Sequence, residues 1–167
     1  MNARAAPRLE AIFAVAENHV IGRAGQLPWD YPEDRAHFRR ITLGHVVILG
    51  RRTWDEVGSP LEGRHNVVVS RSFEPPPGVL VAPSLEAALE IAASLGPLAF
   101  VIGGARLFSE AMPRVERVYV TRIPGRPAGD VFFEFDPSPF ELVQESRGAS
   151  GLVFQVYDRA RNLARSP

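Results

Sequence analysis

The sequence predicts a single-domain α/β protein with a mixed, mainly parallel sheet, about four flanking helices and an antiparallel hairpin at its carboxyl end. Short apolar segments rich in β-branched residues alternate with helical patterns as far as Pro113, an order typical of parallel sheets covered on both faces. Beyond Pro113 strand follows strand, which indicates an antiparallel edge. The length of 167 residues, with 46% hydrophobic residues, suits one domain with a substantial core.

Five segments before Pro113 have the features of buried strands, because they are short, apolar and bounded by turn residues. They are Leu9–Ala16, Val46–Leu49, Asn66–Ser70, Val79–Val81 and Leu98–Ile102. Helical patterns lie between or after them, and each begins at or just after a proline, glycine or serine. They are Glu33–Thr42, Arg51–Val57, Ser84–Ser94 and Ala105–Ala111.

The segment after Pro113 contains three further strands. Glu116–Ile123 alternates between apolar and polar residues, while Phe140–Arg147 and Leu152–Arg159 flank a Gly-Ala-Ser-Gly turn. The last two segments predict an antiparallel hairpin. We place one domain at residues 9–160, with a short amino-terminal tail at 1–8 and a carboxyl-terminal tail at 161–167.

The composition excludes several classes of chemistry. All 19 basic residues are arginine and cysteine is absent, which excludes a lysine Schiff base, a lysine-bearing phosphate loop, a thiol nucleophile, a thiolate metal site and disulfides. The 19 acidic residues balance the charge, so no nucleic-acid partner is expected. The four histidines lack metal-ligand spacing, so no metal is expected. We see neither a membrane span nor a secretion signal, and we expect a cytoplasmic protein without membrane contact.

A long connection joins the first strand to the first helix, from Glu17 to Phe38, and it contains Leu27 and Trp29. Connections above about 12 residues without regular structure are usually functional or disordered, and the two large apolar side chains argue against disorder. Two interpretations stay open on these residues alone. The segment is either a functional loop or a hydrophobic loop packed on the core.

Asp34 shares the apolar face of the first helix with Phe38 and Ile41, at spacings of four and seven residues. A carboxylate on a core-facing side is unusual because its burial is unfavourable without a partner. Asp34 is either a first-turn acid that complements the helix dipole, or a partly buried carboxylate that awaits the N–H groups of a ligand. In the second case burial raises its pKa.

Glycine and arginine follow two predicted strands, in Gly50-Arg51-Arg52-Thr53 and Gly103-Gly104-Ala105-Arg106. Glycine lets the backbone approach a ligand, a helix N-terminus offers free N–H groups and arginine adds charge, which together favour a phosphate site. Ser70-Arg71 follows a third strand and suits a further phosphate, such as the 2′-phosphate that distinguishes NADP from NAD. Arg64 suits a substrate carboxylate. Each motif alone also has a purely geometric or surface explanation.

In their order and spacing these residues resemble the dihydrofolate reductase family over nearly the whole chain, from Ile12 to Tyr157. The matching elements are Val20-Ile21-Gly22, Leu27-Pro28-Trp29, Pro32-Glu33-Asp34 with Phe38, Gly50 to Trp54, Gly63-Arg64, Asn66 to Arg71, Ile102-Gly103-Gly104 and Thr121. The resemblance implies an eight-stranded, mainly parallel sheet and a monomer. It also implies NADPH-dependent reduction of 7,8-dihydrofolate to 5,6,7,8-tetrahydrofolate for one-carbon metabolism.

The resemblance further implies roles around the substrate. Asp34 matches the carboxylate that binds the pterin N–H groups and promotes protonation of N5 before hydride arrives at C6. Leu27 and Trp29 match the lid over the nicotinamide, and Trp29 also matches a residue that orders a water against Asp34. The other implied substrate contacts are the carbonyls of Ile12 and Ile102, the side chains of Phe38, Val57 and Leu61, the carboxylate clamp Arg64, and Thr121 beside Asp34.

The residues implied for NADPH binding follow the strand ends. They are Ala14 and Ile21 at the carboxamide, Gly22, Gly50, then Arg51, Arg52 and Thr53 at the phosphates, Ser70 and Arg71 at the 2′-phosphate, and Gly103, Gly104, Ala105, Arg106 and Leu107 at the pyrophosphate. The Gly103–Gly104 bond matches a family position with a cis peptide, which is rare outside proline. We expect the arginines outside the ligand site to be solvated surface.

Four residues depart from the pattern that is common in the family. They are Ala105 in place of a glycine, Phe108 in place of a tyrosine near the nicotinamide, Ser59 in place of a basic residue near the glutamate tail, and Arg35 in place of a leucine near the substrate.

Two other functions stay open. One is an NADPH-dependent pyrimidine reductase of flavin synthesis on the same fold, and the other is a non-catalytic nucleotide-binding module. Trp29, Asp34 and Arg64 favour the folate interpretation.

Overall fold

The computed structural model of the protein describes residues 5–161 and contains, within that range, ten strands and four α-helices. The strands are β1 (Arg8–Ala16), β2 (Val20–Gly22), β3 (Val46–Gly50), β4 (His65–Val69), β5 (Val79–Ala82), β6 (Leu98–Gly103), β7 (Arg117–Ile123), β8 (Val131–Phe132), β9 (Phe140–Arg147) and β10 (Val153–Arg159). The helices are α1 (Pro32–Thr42), α2 (Arg51–Val57), α3 (Leu85–Ala93) and α4 (Ala105–Ala111). Most of the two predicted tails lies outside the described residues.

Eight of these strands form one sheet in the order β5-β4-β3-β6-β1-β7-β10-β9. β1 lies inside the sheet and pairs in parallel with β6 on one side and β7 on the other. β3 pairs in parallel with both β4 and β6, and β5 pairs in parallel with β4. β10 pairs antiparallel with β7 and β9. The predicted mixed, mainly parallel sheet of eight strands and its antiparallel carboxyl-terminal hairpin are therefore confirmed.

Both faces of the sheet carry apolar core, because successive side chains of a strand point to opposite faces. On one face the ring of Phe13 in β1 lies 5.2 Å from those of Phe108 and Phe133 and 5.5 Å from that of Phe135. The neighbouring Ile12 belongs to a separate buried cluster with Val47, Leu49, Trp54 and Phe100. Burial on both sides explains why the parallel strands are almost continuously apolar.

Local signals set the helix ends close to where the sequence predicts them. Pro32 occupies the first turn of α1, where its missing N–H is not needed. The Ser84 side chain accepts a hydrogen bond of 3.1 Å from the Ala87 N–H and caps α3. Gly58 ends α2 in the left-handed region at φ 77°. Within residues 5–161 none of the helices combines the length and apolar character needed to cross a membrane.

The connection from Glu17 to Phe38 contains more regular structure than its sequence predicts. β2 lies inside it and pairs antiparallel with β8, which lies more than a hundred residues further along the chain. Residues 20–22 and 131–132 are too short to show a periodic pattern, so the interpretation of this segment as a plain loop is wrong there. The pairing joins the connection to the segment that follows β7.

Two arginines outside the predicted ligand site are structural, so the expectation that all such arginines are solvated surface is wrong. Arg117 of β7 donates to both carboxylate oxygens of Asp158 in β10, at 2.6 and 3.0 Å. Arg159 donates to the backbone carbonyls of Met112 and Val115, at 2.7 and 2.8 Å. Arg117 thus ties the carboxyl-terminal hairpin to β7, and Arg159 ties it to the turn that precedes β7. No local pattern reveals such distant partners.

Replacement of Ile48 tests the packing of the central sheet. Ile48 is fully buried in β3 between Val67 of β4 and Val101 of β6. Ile48→Ala should lower the free energy of unfolding by about 2 to 5 kcal/mol, and Ile48→Val by about 0.5 to 1.5 kcal/mol, because the close-packed neighbours relax only partly into the space. Leu80→Ala, on the exposed part of edge strand β5, should change it by about 0.5 kcal/mol or less.

Urea unfolding at equilibrium measures all three variants, with an unchanged denaturant slope as the sign of an unchanged native state. Equal losses for Ile48→Ala and Leu80→Ala would contradict the packing described for β3.

Candidate active site

A large cleft of about 1720 Å³ runs along one edge of the sheet. The carboxyl ends of β3, β4, β5 and β6 border it, as expected for ligand sites in open α/β sheets. Every residue predicted to bind substrate or cofactor, or to take part in catalysis, lines this cleft. The fold therefore brings together residues that lie between positions 12 and 121 of the chain.

Asp34 lies in the first turn of α1 and is largely removed from solvent. Burial has the largest influence on the pKa of Asp34 and raises that pKa. The hydrogen bond that the Thr121 hydroxyl of β7 donates to the carboxylate lowers the pKa, and the nearby charge of Glu33 raises it. The net direction is a raised pKa. Asp34 is thus both a first-turn acid and a partly buried carboxylate, and burial outweighs the hydrogen bond from Thr121. A carboxyl group in this setting can hold a proton at a higher pH than a surface aspartate does.

The surroundings of Asp34 are mostly apolar and tightly packed. Ile12 is 4% exposed and Thr121 is 2% exposed. Phe38 and Ile102 also line the cleft. The indole Nε1 of Trp29 is buried and has no acceptor among the described residues. Since buried N–H groups are normally paired, this donor is available to a ligand or a water.

Arg64 also lines the cleft, together with Val57 and Leu61. Its Nε donates to the Glu62 carbonyl at 3.0 Å, and its Nη1 donates to the Thr42 hydroxyl at 3.2 Å. Burial, followed by the neighbouring Arg39, lowers the pKa of this guanidinium, and Glu62 opposes that effect. Arginine remains charged under all ordinary conditions, so Arg64 presents a fixed cation that suits a carboxylate.

The glycines at the ends of β3 and β6 lie side by side and line the cleft. A Cβ on Gly50 would lie 3.7 Å from both the Gly103 carbonyl oxygen and the Gly104 nitrogen. A Cβ on Gly103 would lie 2.9 Å from Thr53 Oγ1, and its φ of 140° is accessible only to glycine. The Gly103–Gly104 peptide is cis, as the resemblance implies. This crowded junction exposes backbone to the cleft where a side chain would block it.

Arginines without protein partners border this junction. Among residues 5–161, Arg52, Arg71 and Arg106 make no hydrogen bond or ion pair, although all three line the cleft. Arg51 differs, because its guanidinium pairs with Asp55 at 3.1 Å and covers the ring of Phe73 at 4.6 Å. Three free cations beside exposed glycine backbone fit a ligand that carries several phosphates.

The segment between β2 and α1 forms the wall of the cleft above Asp34. Leu27 is 52% exposed at the mouth, and Ile21 and Gly22 of β2 line the interior. The Ala24 N–H donates to both carboxylate oxygens of Asp130, at 3.1 Å each. This tether, together with the pairing of β2 with β8, holds the wall from a segment that is remote in sequence.

Sequence reasoning missed several residues that line the cleft. Glu56 is a carboxylate whose pKa is raised by burial first and by Asp130 second. Asp30 also lines the cleft and forms an ion pair with Arg35, a residue that the resemblance already placed near the substrate. Ser84 marks a fourth strand end, and the rule that located the other three would have found it. The remaining missed residues are Phe13, Gln26, Arg39, Val69, Pro83, Leu85, Glu110 and Val131.

The fully buried Phe108 lines the cleft from inside the aromatic cluster around Phe13. Where residues 5–161 are concerned, no three His, Cys, Asp or Glu side chains lie close enough together to hold a metal ion.

Comparison with known proteins identifies the architecture of this cleft. The sequence model of the family described as "Dihydrofolate reductase" matches residues 8–159. Among curated proteins, the dihydrofolate reductase of Mycobacterium tuberculosis (strain ATCC 25618 / H37Rv) is 45% identical over 160 residues, which cover 90% of this chain and 96% of that protein. The dihydrofolate reductase of Bacillus subtilis (strain 168) is 41% identical over 140 residues, which cover 82% of each chain.

A solved structure of dihydrofolate reductase from Enterococcus faecalis, complexed with NADP(H) and RAB-propyl, superimposes with a TM-score of 0.87. The two chains are 32% identical, and the match covers 92% of this chain and 97% of that one.

The raised pKa of Asp34 predicts that this residue lowers stability at neutral pH. The native state binds the Asp34 proton more tightly than the unfolded chain, so the free energy of unfolding falls as pH rises through the interval between the unfolded value, near 3.8, and the raised native value. Asp34→Asn removes this titration. The variant should be more stable than the parent at neutral pH, and the difference should shrink as pH falls toward 3.8.

Urea unfolding at a series of pH values measures this difference. Asp55→Asn, which removes an exposed carboxylate, is the control and should change stability by about 1 kcal/mol or less. A stability difference between Asp34→Asn and the parent that does not change with pH would contradict the described environment of Asp34.

Proposed function

The chain belongs to the dihydrofolate reductase family and is an NADP-dependent oxidoreductase, and we propose that Asp34 manages the proton in its reduction of 7,8-dihydrofolate to 5,6,7,8-tetrahydrofolate. The observation that carries this role is the partly buried carboxyl group of Asp34, with its raised pKa and its bond to Thr121, within a cleft that suits a phosphate-bearing cofactor. An assay with NADPH and dihydrofolate, followed by absorbance, tests the activity directly.

Asp34 binds the pterin ring through the N–H groups that face it and favours the protonated form of N5. A protonated imine accepts hydride at C6 far more readily than a neutral one, so one carboxyl group in an apolar pocket is sufficient on the side of the protein. When bound, NADPH supplies the hydride. The hydrogen bond from Thr121 orients the carboxyl group of Asp34. The indole N–H of Trp29, which has no protein acceptor among the described residues, donates to a water that contacts Asp34.

The substrate lies along the apolar wall of the cleft. The carbonyls of Ile12 and Ile102 accept from the pterin amino group, and Phe38 packs against the aminobenzoyl ring. Val57 and Leu61 line the same pocket, and Arg64 binds the α-carboxylate of the glutamate tail. The support for this orientation is that the same cleft is lined by the carboxyl group of Asp34, by the apolar side chains of Phe38, Val57 and Leu61, and by the cationic Arg64.

The cofactor lies along the strand ends. The nicotinamide end contacts Ala14, Ile21 and Gly22. The phosphates bind near the backbone of Gly50 and of residues 103–107, where they contact Arg51, Arg52, Thr53 and Arg106. Ser70 and Arg71 receive the 2′-phosphate. The unpaired state of Arg52, Arg71 and Arg106 supports these roles, because a buried or bound phosphate needs donors that no protein acceptor already uses. Leu27 and Trp29 close the site and exclude water.

The protein acts as a monomer in this proposal, since one chain supplies every residue of the cleft. A cytoplasmic location and domain limits of residues 9–160 stay predictions. The two alternative functions are separated by the same assay, because a pyrimidine reductase or a non-catalytic module would bind NADPH without oxidising it in the presence of dihydrofolate.

Asp34→Asn should lower the rate of dihydrofolate reduction at neutral pH by about a hundredfold or more, because the carboxyl group that manages the proton is lost. The rate should recover partly in acid, where protons from solution substitute. NADPH affinity, measured by fluorescence titration, should stay nearly unchanged. A rate equal to that of the parent would remove Asp34 from the mechanism.

Arg71→Ala should weaken NADPH binding by about tenfold and NADH binding much less, because only NADPH carries the 2′-phosphate and a charge-assisted hydrogen bond contributes about 1.5 to 3 kcal/mol before solvent screening. Arg126→Ala, at an exposed arginine outside the cleft, is the control and should leave both affinities unchanged. Equal losses of NADPH and NADH affinity in Arg71→Ala would make Arg71 an ordinary surface residue.

A further inference from the structure

Two buried polar side chains lie behind Arg64, and neither of them lines the cleft. Asn66 of β4 is 3% exposed, and Thr42 at the end of α1 is 0% exposed. Polar groups in the interior are unfavourable unless they are hydrogen-bonded, so their partners indicate what they hold in place. The partners of both residues converge on Arg64.

The side chain of Asn66 hydrogen-bonds to the backbone of the loop that contains Leu61 and Arg64. Its Oδ1 accepts from the Leu61 N–H at 3.0 Å, and its Nδ2 donates to the carbonyls of Leu61 and Arg64, each at 3.0 Å. Both amide hydrogens are thereby used. The backbone of Asn66 pairs with Val47 in β3 and Val79 in β5, so its side chain connects the loop to the rigid sheet.

Thr42 holds the guanidinium of Arg64 from the other side. Its hydroxyl donates to the Phe38 carbonyl at 2.8 Å, which leaves the oxygen free to accept from Arg64 Nη1 at 3.2 Å. The Nε of Arg64 donates to the Glu62 carbonyl at 3.0 Å. The hydroxyl is thus fixed in direction by α1 and fixes Arg64 in turn.

The two bonds of the Arg64 guanidinium leave three of its five N–H donors free, among them both hydrogens of Nη2. The edge formed by Nη1 and Nη2 can therefore receive a carboxylate through two parallel hydrogen bonds. A donor pair that is already oriented loses less freedom on binding than a mobile arginine would.

We propose that Asn66 and Thr42 are positioning residues for substrate recognition, which hold Arg64 ready for the carboxylate of the substrate without touching the substrate themselves. Asn66 fixes the backbone of the loop, and Thr42 fixes the guanidinium. This inference rests on the proposed function, in which Arg64 binds the glutamate tail of dihydrofolate. It predicts that both residues affect only substrates that carry this tail.

The test compares dihydrofolate with 6-methyl-7,8-dihydropterin, which lacks the aminobenzoyl-glutamate tail, at saturating NADPH. Asn66→Ser and Thr42→Val should each raise the KM for dihydrofolate by about tenfold with little change in kcat, because displacement of a positioned group weakens binding. The KM for the short substrate should change by less than about twofold. If Asn66→Ser does not fold, Thr42→Val, which keeps the size and shape of the side chain, carries the test by itself.

Two controls separate positioning from general destabilisation. Val67→Ala alters the next residue of β4, which is fully buried and has no side-chain group that could hydrogen-bond to Arg64. This variant should leave both KM values unchanged. In an Arg64→Ala background, Asn66→Ser and Thr42→Val should raise the dihydrofolate KM by less than about twofold further, since the group they act through is gone.

A parallel rise in KM for both substrates, or no rise for either, would overturn the proposal. Effects of Asn66→Ser and Arg64→Ala that simply add would overturn it as well. Failure of the parent protein to oxidise NADPH with dihydrofolate would instead refute the proposed function. If Arg64→Ala raises the dihydrofolate KM while Asn66→Ser and Thr42→Val do not, the proposed function stands and only the positioning role is wrong.

Discussion

The parallel pairing of β5, β4, β3, β6 and β1 is the constraint on which the rest of the structure depends. Parallel strands end at the same edge of a sheet, so junctions that are far apart in the chain meet there. Gly50, Ser70, Ser84 and Gly103 all border one cleft for this reason. A Cβ at Gly103 would lie too close to the Thr53 hydroxyl of α2, so the end of β6 presents backbone rather than a side chain to the cleft.

Asp34 shows how function and stability oppose each other in this fold. α1 places its carboxyl group against Thr121 of β7, where it is partly buried in the cleft. Burial raises the pKa, which suits a group that must hold or direct a proton near neutral pH, but the ionised form is disfavoured in the native state. The rest of the core, centred on the aromatic cluster around Phe13, offsets this unfavourable term.

Arginine serves three physical tasks in a chain that has no lysine. Arg117 and Arg159 join distant elements through buried or half-buried hydrogen bonds, and Arg64 is held by neighbours that leave part of its guanidinium free. Arg52 and Arg71 keep all their donors free within the described part of the chain. Five donors and a permanent charge make each task possible, and the number of protein partners decides which task a given arginine performs.

Periodicity, turn residues and helix-start signals were sufficient to predict the helices within one residue at each end and the parallel part of the sheet, because these features depend on neighbouring residues. The strand-end motifs and the apolar setting of Asp34 were likewise readable from local sequence. The pairing of β2 with β8, the tether between Ala24 and Asp130, and the bonds from Asn66 and Thr42 to the Arg64 region were not. Each of these joins residues whose meeting depends on how whole elements pack, and only the tertiary structure decides that.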